Sequence, residues 1–157
     1  MKKVYLAGQL NQYDNNWKDE FIKIKGFKFY DPEIDSDQTS SETFFPQDLI
    51  AVHNSDILVA NPGITTSEAT WVEVGYFLAT HTKNAGDTCG NLIIVWKDER
   101  EPKWSIEFIK KTGYLVRTLE EAKSKLKELI TIVNENDEVI GSEKNKYVIE
   151  KILYTVL

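Results

Sequence analysis

Five short, continuous runs of apolar residues recur along the chain, and segments with a different periodicity separate them. Such runs are typical of parallel strands that are covered on both faces, because both alternating sets of side chains are then buried. The runs are Val4 to Ala7, Phe27 to Tyr30, Ile57 to Ala60, Leu92 to Trp96 and Tyr114 to Val116. The pattern predicts an α/β domain built on a five-stranded parallel sheet.

The segments between these runs are expected to be helical, apart from residues 33–43, which are polar and predict a surface loop. Pro46 suits the first position of its helix, where its missing N–H costs nothing. Thr65 and Glu68 have capping-box spacing at the start of another. The predicted helices are 17–24, 46–54, 65–82, 104–111 and 119–130. With five strands we expect the flavodoxin-like order 2-1-3-4-5, with helices on both faces.

The C-terminal residues do not continue this alternation. We expect a catalytic domain over residues 1–132 and a C-terminal extension over residues 133–157. The extension carries more apolar side chains, at Val139, Ile140 and from Tyr147 to Leu157, than a disordered tail should. It is either an added strand and helix or an arm that packs on a second subunit.

The charge balance argues against a nucleic acid polymer as partner. Lysine and arginine number 19 and aspartate and glutamate 25, a net charge of −6, so the overall field repels polyanions. The lysines at 123, 125 and 127 alternate with glutamates, which is typical of a solvated helix face.

Nothing in the sequence requires an oxidising compartment or a membrane. Cys89 is the only cysteine, so no intrachain disulfide can form. The apolar run near the N-terminus ends at Gln9 and is too short for a signal peptide or a membrane span. We therefore expect a cytoplasmic protein.

Glu73 is the one charged residue between Ala69 and Leu78. Helical spacing places it beside Tyr76 and Phe77, on a face that should be buried. An ionised carboxylate buried without a partner is costly, so this group must be paired, protonated or used. The pattern alone leaves two interpretations open, a catalytic acid and a core glutamate bonded to a tyrosine or a backbone N–H.

Other reactive side chains have ordinary explanations. Asp48 follows Pro46 by two residues and is expected in the first helical turn, where the helix dipole favours an acid, so a structural role is favoured. Tyr5 could be a plain core residue of the first strand. His53, His81 and Cys89 match no metal-ligand spacing, so no metal site is expected.

Ligands of such sheets bind beyond the carboxyl ends of the strands, where the strand order reverses. Here that point lies between the first and third strands, which are followed by residues 8–11 and 61–67. These loops supply the candidate substrate-binding residues Gly8, Gln9, Asn61, Gly63 and Ser67.

Three segments, in this order, resemble motifs of the nucleoside 2-deoxyribosyltransferase family and the related 2′-deoxynucleoside 5′-phosphate N-hydrolases. They are Val4-Tyr5-Leu6-Ala7-Gly8, Asp48 eight residues ahead of Asp56-Ile57-Leu58-Val59, and Val72-Glu73-Val74-Gly75-Tyr76. The resemblance covers roughly Lys3 to Val116. It implies a flavodoxin-like sheet, a nucleoside or nucleotide substrate, an acceptor base, homo-oligomers that share active sites, and no metal or organic cofactor.

The resemblance also implies roles for individual residues. Glu73 corresponds to the nucleophile that attacks C1′ and forms a glycosyl ester, and Tyr5 to a tyrosine that orients it. Asp48 corresponds to an acid that protonates or holds the departing base. Gln9 is a candidate for contacting the base.

Ser67 departs from the transferase pattern, in which an aspartate six residues ahead of the nucleophile contacts the 5′-hydroxyl. The N-hydrolases have serine there, and it binds the 5′-phosphate, which suits a helix N-terminus. The loop after the first strand, however, lacks the arginine that those hydrolases place near the phosphate. The expected function is 2-deoxyribose transfer between bases of unphosphorylated nucleosides; the alternatives are a nucleotide N-hydrolase and a non-catalytic nucleotide-binding or assembly module.

Overall fold

One parallel sheet organises the computed structural model, which describes residues 1–8, 17–63, 67–82, 90–97, 112–129, 132–133 and 139–140. Its strands are β1 (Lys2–Ala7), β2 (Phe27–Tyr30), β3 (Ile57–Ala60), β4 (Leu92–Val95) and β5 (Tyr114–Val116). They are ordered β2-β1-β3-β4-β5, and every neighbouring pair is parallel. The predicted fold class and strand order are confirmed.

Helices cover both faces of this sheet. The described helices are α1 (Trp17–Ile22), α2 (Pro32–Asp35), α3 (Ser41–His53), α4 (Glu68–His81) and α5 (Leu119–Glu128). Side chains alternate along β1, so that Val4 and Leu6 pack in the core shared with α1 and α5, while Tyr5 and Ala7 pack in the core shared with α3 and α4. Burial of each large apolar side chain stabilises the fold by roughly 1.5–3 kcal/mol.

Helix α3 begins at Ser41, so the prediction that Pro46 starts it is wrong. The Ser40 backbone N–H donates to Thr43 Oγ1 at 3.1 Å, and the Thr43 N–H donates to the Ser40 carbonyl at 3.1 Å. The helix therefore starts five residues before Pro46, and the proline lies in the interior of the helix. Asp48 is consequently the eighth of 13 residues in α3 and not part of its first turn.

One further boundary corrects the sequence predictions. The predicted loop over residues 33–43 contains α2, a single turn capped by Asp31, whose side chain accepts the Glu33 N–H. Helix α4 begins at Glu68 with Ser67 as its N-cap, because Ser67 Oγ accepts the Thr70 N–H, and this agrees with a predicted start at residues 65–67. The predicted helix over residues 104–111 lies outside the described residues.

A small antiparallel pair, β6 (Ile132–Val133) and β7 (Val139–Ile140), crosses the predicted boundary of the C-terminal extension. Both alternatives for the extension, an added strand and helix or a subunit-packing arm, stay predictions. A helix or a subunit-packing arm over the last residues falls outside the described part of the chain, and the division at residues 132 and 133 stays a prediction.

Candidate active site

Tyr5 and Glu73 form a buried hydrogen bond between β1 and α4. Tyr5 Oη donates to Glu73 Oε1 at 2.6 Å, and the two residues are 0% and 7% exposed. The contact follows from the local folding: alternation along β1 turns Tyr5 toward α4, and Val74 and Phe77 pack α4 onto that face. The expected burial of Glu73 is confirmed. The bond to Tyr5 agrees with both interpretations of Glu73, a core glutamate bonded to a tyrosine and a nucleophile that a tyrosine orients, and its role stays a prediction.

Burial raises the pKa of Glu73 to about 7. The hydrogen bond from Tyr5 and the charge of Lys18 oppose this rise, while the charge of Asp48 adds to it. Burial and the Glu73 charge raise the pKa of Tyr5, so the phenol stays protonated and remains a donor. Glu73 can therefore be ionised near neutral pH while it keeps a hydrogen bond on one oxygen.

Asp48 lies on the same side of the sheet, in the interior of α3. It is 6% exposed, and its Oδ1 has no hydrogen-bond partner within the described part of the chain. Burial raises its pKa, against the effects of the Ser36 hydroxyl and the Lys18 charge. The expected role of a first-turn acid is wrong, since the helix starts at Ser41. A buried carboxyl oxygen without a partner is costly in a resting protein, which favours a role toward a ligand.

Tyr30 completes this cluster, and the sequence analysis missed it. Its ring stacks on that of Tyr5, with centroids 5.5 Å apart and planes 15° from parallel. Burial raises the pKa of Tyr30, and the Asp48 charge adds to the rise. The available signal was its position as the last residue of the second strand, next to β1 at the carboxyl edge of the sheet.

The carboxyl ends of β1 and β3 meet at Gly8 and Asn61. The Asn61 N–H donates to the Ala7 carbonyl at 2.9 Å, and a Cβ at Gly8 would lie 2.2 Å from the Asn61 carbonyl oxygen. Gly8 also has a φ of 129°, so glycine is required there for two reasons. Gly63 has a φ of 70° two residues beyond Asn61. These three candidates lie at the predicted edge, and their contact with substrate stays a prediction.

Ser67 has a hydroxyl hydrogen available at the N-terminus of α4. Its Oγ accepts the Thr70 hydroxyl at 2.7 Å and the Thr70 N–H at 3.4 Å. Among the described residues no acceptor receives the hydrogen of Ser67 itself. Ser67 is 8% exposed, so this donor belongs to a largely enclosed helix end. Gln9, the remaining candidate, lies outside the described residues.

Lys18 is a buried cation beside this cluster, and the sequence analysis did not identify it. It is 1% exposed, and its Nζ lies 2.8 Å from Asp31 Oδ1 and 3.0 Å from Glu33 Oε1. Its charge lowers the pKa of both Glu73 and Asp48. The only signal in the sequence was a lysine at the start of the helix that follows the first loop.

Neither a metal-binding group nor a membrane-spanning helix is found among the described residues. They contain no group of three or more histidine, cysteine, aspartate or glutamate side chains that could hold a metal ion. Among the helices that the structure describes, none is long and apolar enough to cross a membrane.

Comparison with known proteins shows similarity in structure and not in sequence. No protein-family model matches the chain, and no curated protein sequence matches it. The CMP N-glycosidase BcmB of Clostridium botulinum is similar over 80% of this chain and 98% of its own, with 20% identity and a TM-score of 0.58. BlsM is similar over 82% of this chain and 89% of its own, with 19% identity and a TM-score of 0.54.

A third match, to a 2-desoxiribosyltransferase from Leishmania mexicana, covers 64% of this chain and 67% of that protein, with 19% identity and a TM-score of 0.48. A TM-score at that level supports no inference. The two stronger matches establish the fold. The chain shares the α/β fold of the CMP N-glycosidase BcmB and of BlsM.

Proposed function

We propose that this protein cleaves the N-glycosidic bond of a nucleoside or nucleotide, with Glu73 as the nucleophile at C1′. The observation that carries the proposal is the 2.6 Å hydrogen bond from Tyr5 Oη to Glu73 Oε1 in a buried cluster that includes a second carboxyl group, Asp48. Two carboxyl groups in different protonation states are what glycosyl transfer through a covalent intermediate requires. The sequence motifs and the fold shared with a CMP N-glycosidase support the same chemistry.

In the first step the Glu73 carboxylate attacks C1′ of the sugar. A bond forms between C1′ and a Glu73 oxygen, while the C1′–N bond breaks and its electron pair leaves with the base. Asp48, with its raised pKa, donates a proton to the departing base and is left as a carboxylate. Tyr5 holds Glu73 through Oε1, which leaves Oε2 to attack.

In the second step an acceptor replaces Glu73 at C1′. The acceptor is a nucleobase nitrogen or a water oxygen; it loses its proton to Asp48, and Glu73 leaves as a carboxylate. Two displacements retain the configuration at C1′. With a base as acceptor the protein moves 2-deoxyribose between nucleobases, which is the first candidate function.

Hydrolysis of a nucleoside 5′-monophosphate is the second candidate. Ser67, which caps α4 and has a hydrogen to donate, supports it, because helix N-termini favour anions. The similar protein from Clostridium botulinum is by name a glycosidase of CMP, a 5′-monophosphate. In this candidate water takes the place of the acceptor base.

Product analysis tests both candidates. The protein is incubated with a deoxynucleoside, with its 5′-monophosphate and with CMP, each with and without a second free base. Base exchange supports transfer; free base with sugar or sugar phosphate supports hydrolysis. A substrate fluorinated at C2′ should slow both steps and accumulate the Glu73 ester for mass spectrometry, because fluorine destabilises an oxocarbenium-like transition state. Absence of turnover on all substrates leaves a binding or assembly module and overturns the proposal.

A further inference from the structure

Lys18 links α1 to the N-terminal end of α2 through Asp31 and Glu33. It belongs to α1, whose apolar residues pack with α5, whereas Asp48 belongs to α3 on the other face. We propose that Lys18 is a positioning residue of the candidate active site, which holds α2 and Ser36 beside Asp48 through its ion pair with Asp31. The inference rests on the proposed function for its catalytic meaning, but its geometry is independent of that function.

The first link runs from Lys18 to the start of α2. Lys18 Nζ lies 2.8 Å from Asp31 Oδ1, and the same oxygen accepts the Glu33 N–H at 3.1 Å as the N-cap of α2. Glu33 Oε1 forms a second ion pair with Lys18 Nζ, at 3.0 Å. A helix of four residues cannot stabilise itself, because nucleation costs more than one turn returns. The buried ammonium group therefore fixes α2 from outside.

The second link runs from α2 to Asp48. Ser36 Oγ donates to the Pro32 carbonyl at 2.6 Å and accepts from Gln38 Nε2 at 2.6 Å, so its hydroxyl is held at the C-terminal end of α2. From there the hydroxyl lies close to Asp48 and lowers the pKa of that residue when its single hydrogen turns from the Pro32 carbonyl to the Asp48 carboxylate. Gln47, next to Asp48 in the chain, accepts the Asp37 N–H at 3.0 Å and ties this segment to α3.

The charge of Lys18 acts on the same site. It lowers the pKa of Glu73, which also faces Tyr5 of β1 and Asp48 of α3. It lowers the pKa of Asp48 as well, together with the Ser36 hydroxyl. Removing the ammonium group should raise both pKa values, whereas removing the Ser36 hydroxyl should raise only that of Asp48.

The test uses NMR titration of the side-chain carboxyl carbons in the resting protein, which needs no turnover. Lys18→Met is compared with Lys23→Met, which removes the same charge from an exposed position just after α1. We expect the Glu73 pKa to rise by about half a pH unit or more in Lys18→Met and to stay unchanged in Lys23→Met. Ser36→Ala should raise the Asp48 pKa alone, and Lys18→Arg should keep both wild-type values.

Folding of the variants needs its own safeguard, because Lys18→Met leaves Asp31 buried without a counter-charge. The double variant Lys18→Met with Asp31→Asn removes both charges and keeps the volume. A folded single or double variant whose Glu73 and Asp48 titrate as in Lys23→Met would overturn the proposal. In variants that turn over substrate, the descending limb of kcat/KM, where the pair of Glu73 and Asp48 loses its last proton, should move to higher pH by the same amount as the Glu73 pKa. If the wild-type protein turns over nothing, the proposed function fails while the NMR result still decides the role of Lys18.

Discussion

Asp48 raises the pKa of Glu73, although the two carboxyl groups lie on different helices, α3 and α4. Bringing two acids into one buried cluster makes it costly to ionise both. Asp48 ionises first, because its charge acts on Glu73 whereas Glu73 is not among the groups that shift Asp48, so the single proton of the pair rests on Glu73 up to about pH 7. Transfer of that proton from Glu73 to Asp48 gives the nucleophile and the proton donor that the proposed N-glycosidic cleavage needs.

Replacing Glu73 by glutamine should abolish turnover and stabilise the fold. The amide has a similar volume but cannot form the glycosyl ester, so kcat should fall by on the order of a thousandfold or more. Because the folded state raises the pKa of Glu73 from 4.5 to about 7, ionised Glu73 destabilises the wild-type protein above pH 7, by on the order of 3 kcal/mol.

The two readouts are kcat and the free energy of unfolding in urea. The stability advantage of Glu73→Gln should be largest at pH 8, decrease as the pH falls through 7, and vanish below 4.5, where both proteins are neutral at this position. Turnover within about tenfold of wild type would remove Glu73 as nucleophile.

The pH profile should follow the ionisation of Glu73. The cleavage step needs one carboxylate and one acid in the pair, so kcat/KM should have a descending limb above about pH 7, with a tenfold loss per pH unit, where the pair loses its last proton. Stopped assays from pH 5 to 8.5 measure the limb. A limb near pH 4.5 would mean that Glu73 titrates as an ordinary glutamate or is not the nucleophile.

Tyr5→Phe should move that descending limb to higher pH and lower kcat/KM, because more of the pair's single proton then stays on Glu73. The phenol stabilises ionised Glu73 through the 2.6 Å hydrogen bond, and its loss raises the Glu73 pKa further. We expect kcat/KM at pH 7 to fall about 10- to 100-fold. Tyr30→Phe is the matched control, because Tyr30 stacks on Tyr5 but does not appear among the groups that shift Glu73. Equal effects of the two variants would argue for ring packing and against the hydrogen bond.

Asp48→Asn should slow departure of the base without disturbing α3. The amide cannot donate a carboxyl proton, and a substrate with a better leaving base should recover part of the rate, as expected for general acid assistance. Rates are compared for a natural base and an activated one in both proteins. Equal losses on the two substrates would show that Asp48 does not assist the leaving group.

Ser67→Ala tests recognition of the 5′ end. If the Ser67 hydrogen binds a phosphate oxygen, the variant should lose kcat/KM on the monophosphate by about 10-fold or more and change little on the nucleoside. The variant also loses an N-cap, so Thr118→Ala, which removes the cap of α5, controls for capping alone. An equal loss of kcat/KM on both substrates would show that Ser67 does not recognise the phosphate, which favours the unphosphorylated nucleoside as substrate.

The strands could be predicted from the sequence because each is a continuous apolar run, and β2, β3 and β5 begin and end where the runs do. The start of α3 could not, since the favourable position for Pro46 competes with a start at Ser40 and Thr43 that only the folded loop reveals. This one boundary reversed the interpretation of Asp48.

Lys18 escaped prediction for a different reason. Its partners, Asp31 and Glu33, lie 13 and 15 residues away, beyond any helical spacing, and meet it only once β2 has paired with β1. Tyr5 and Glu73 are 68 residues apart in the sequence. Periodicity cannot pair residues so far apart, and their pairing was expected from the resemblance of the motifs.

The ion pair from α1 to the turn after β2 makes the candidate site depend on both helical layers. A partial opening of α1 that leaves the sheet and α3 intact would release α2 and with it the surroundings of Asp48. Activity should therefore be lost at lower denaturant concentrations than the secondary structure, which far-UV circular dichroism measures. Opening of α1 on one face of the sheet would thus stop the proposed chemistry on the other face, where α3 and α4 pack.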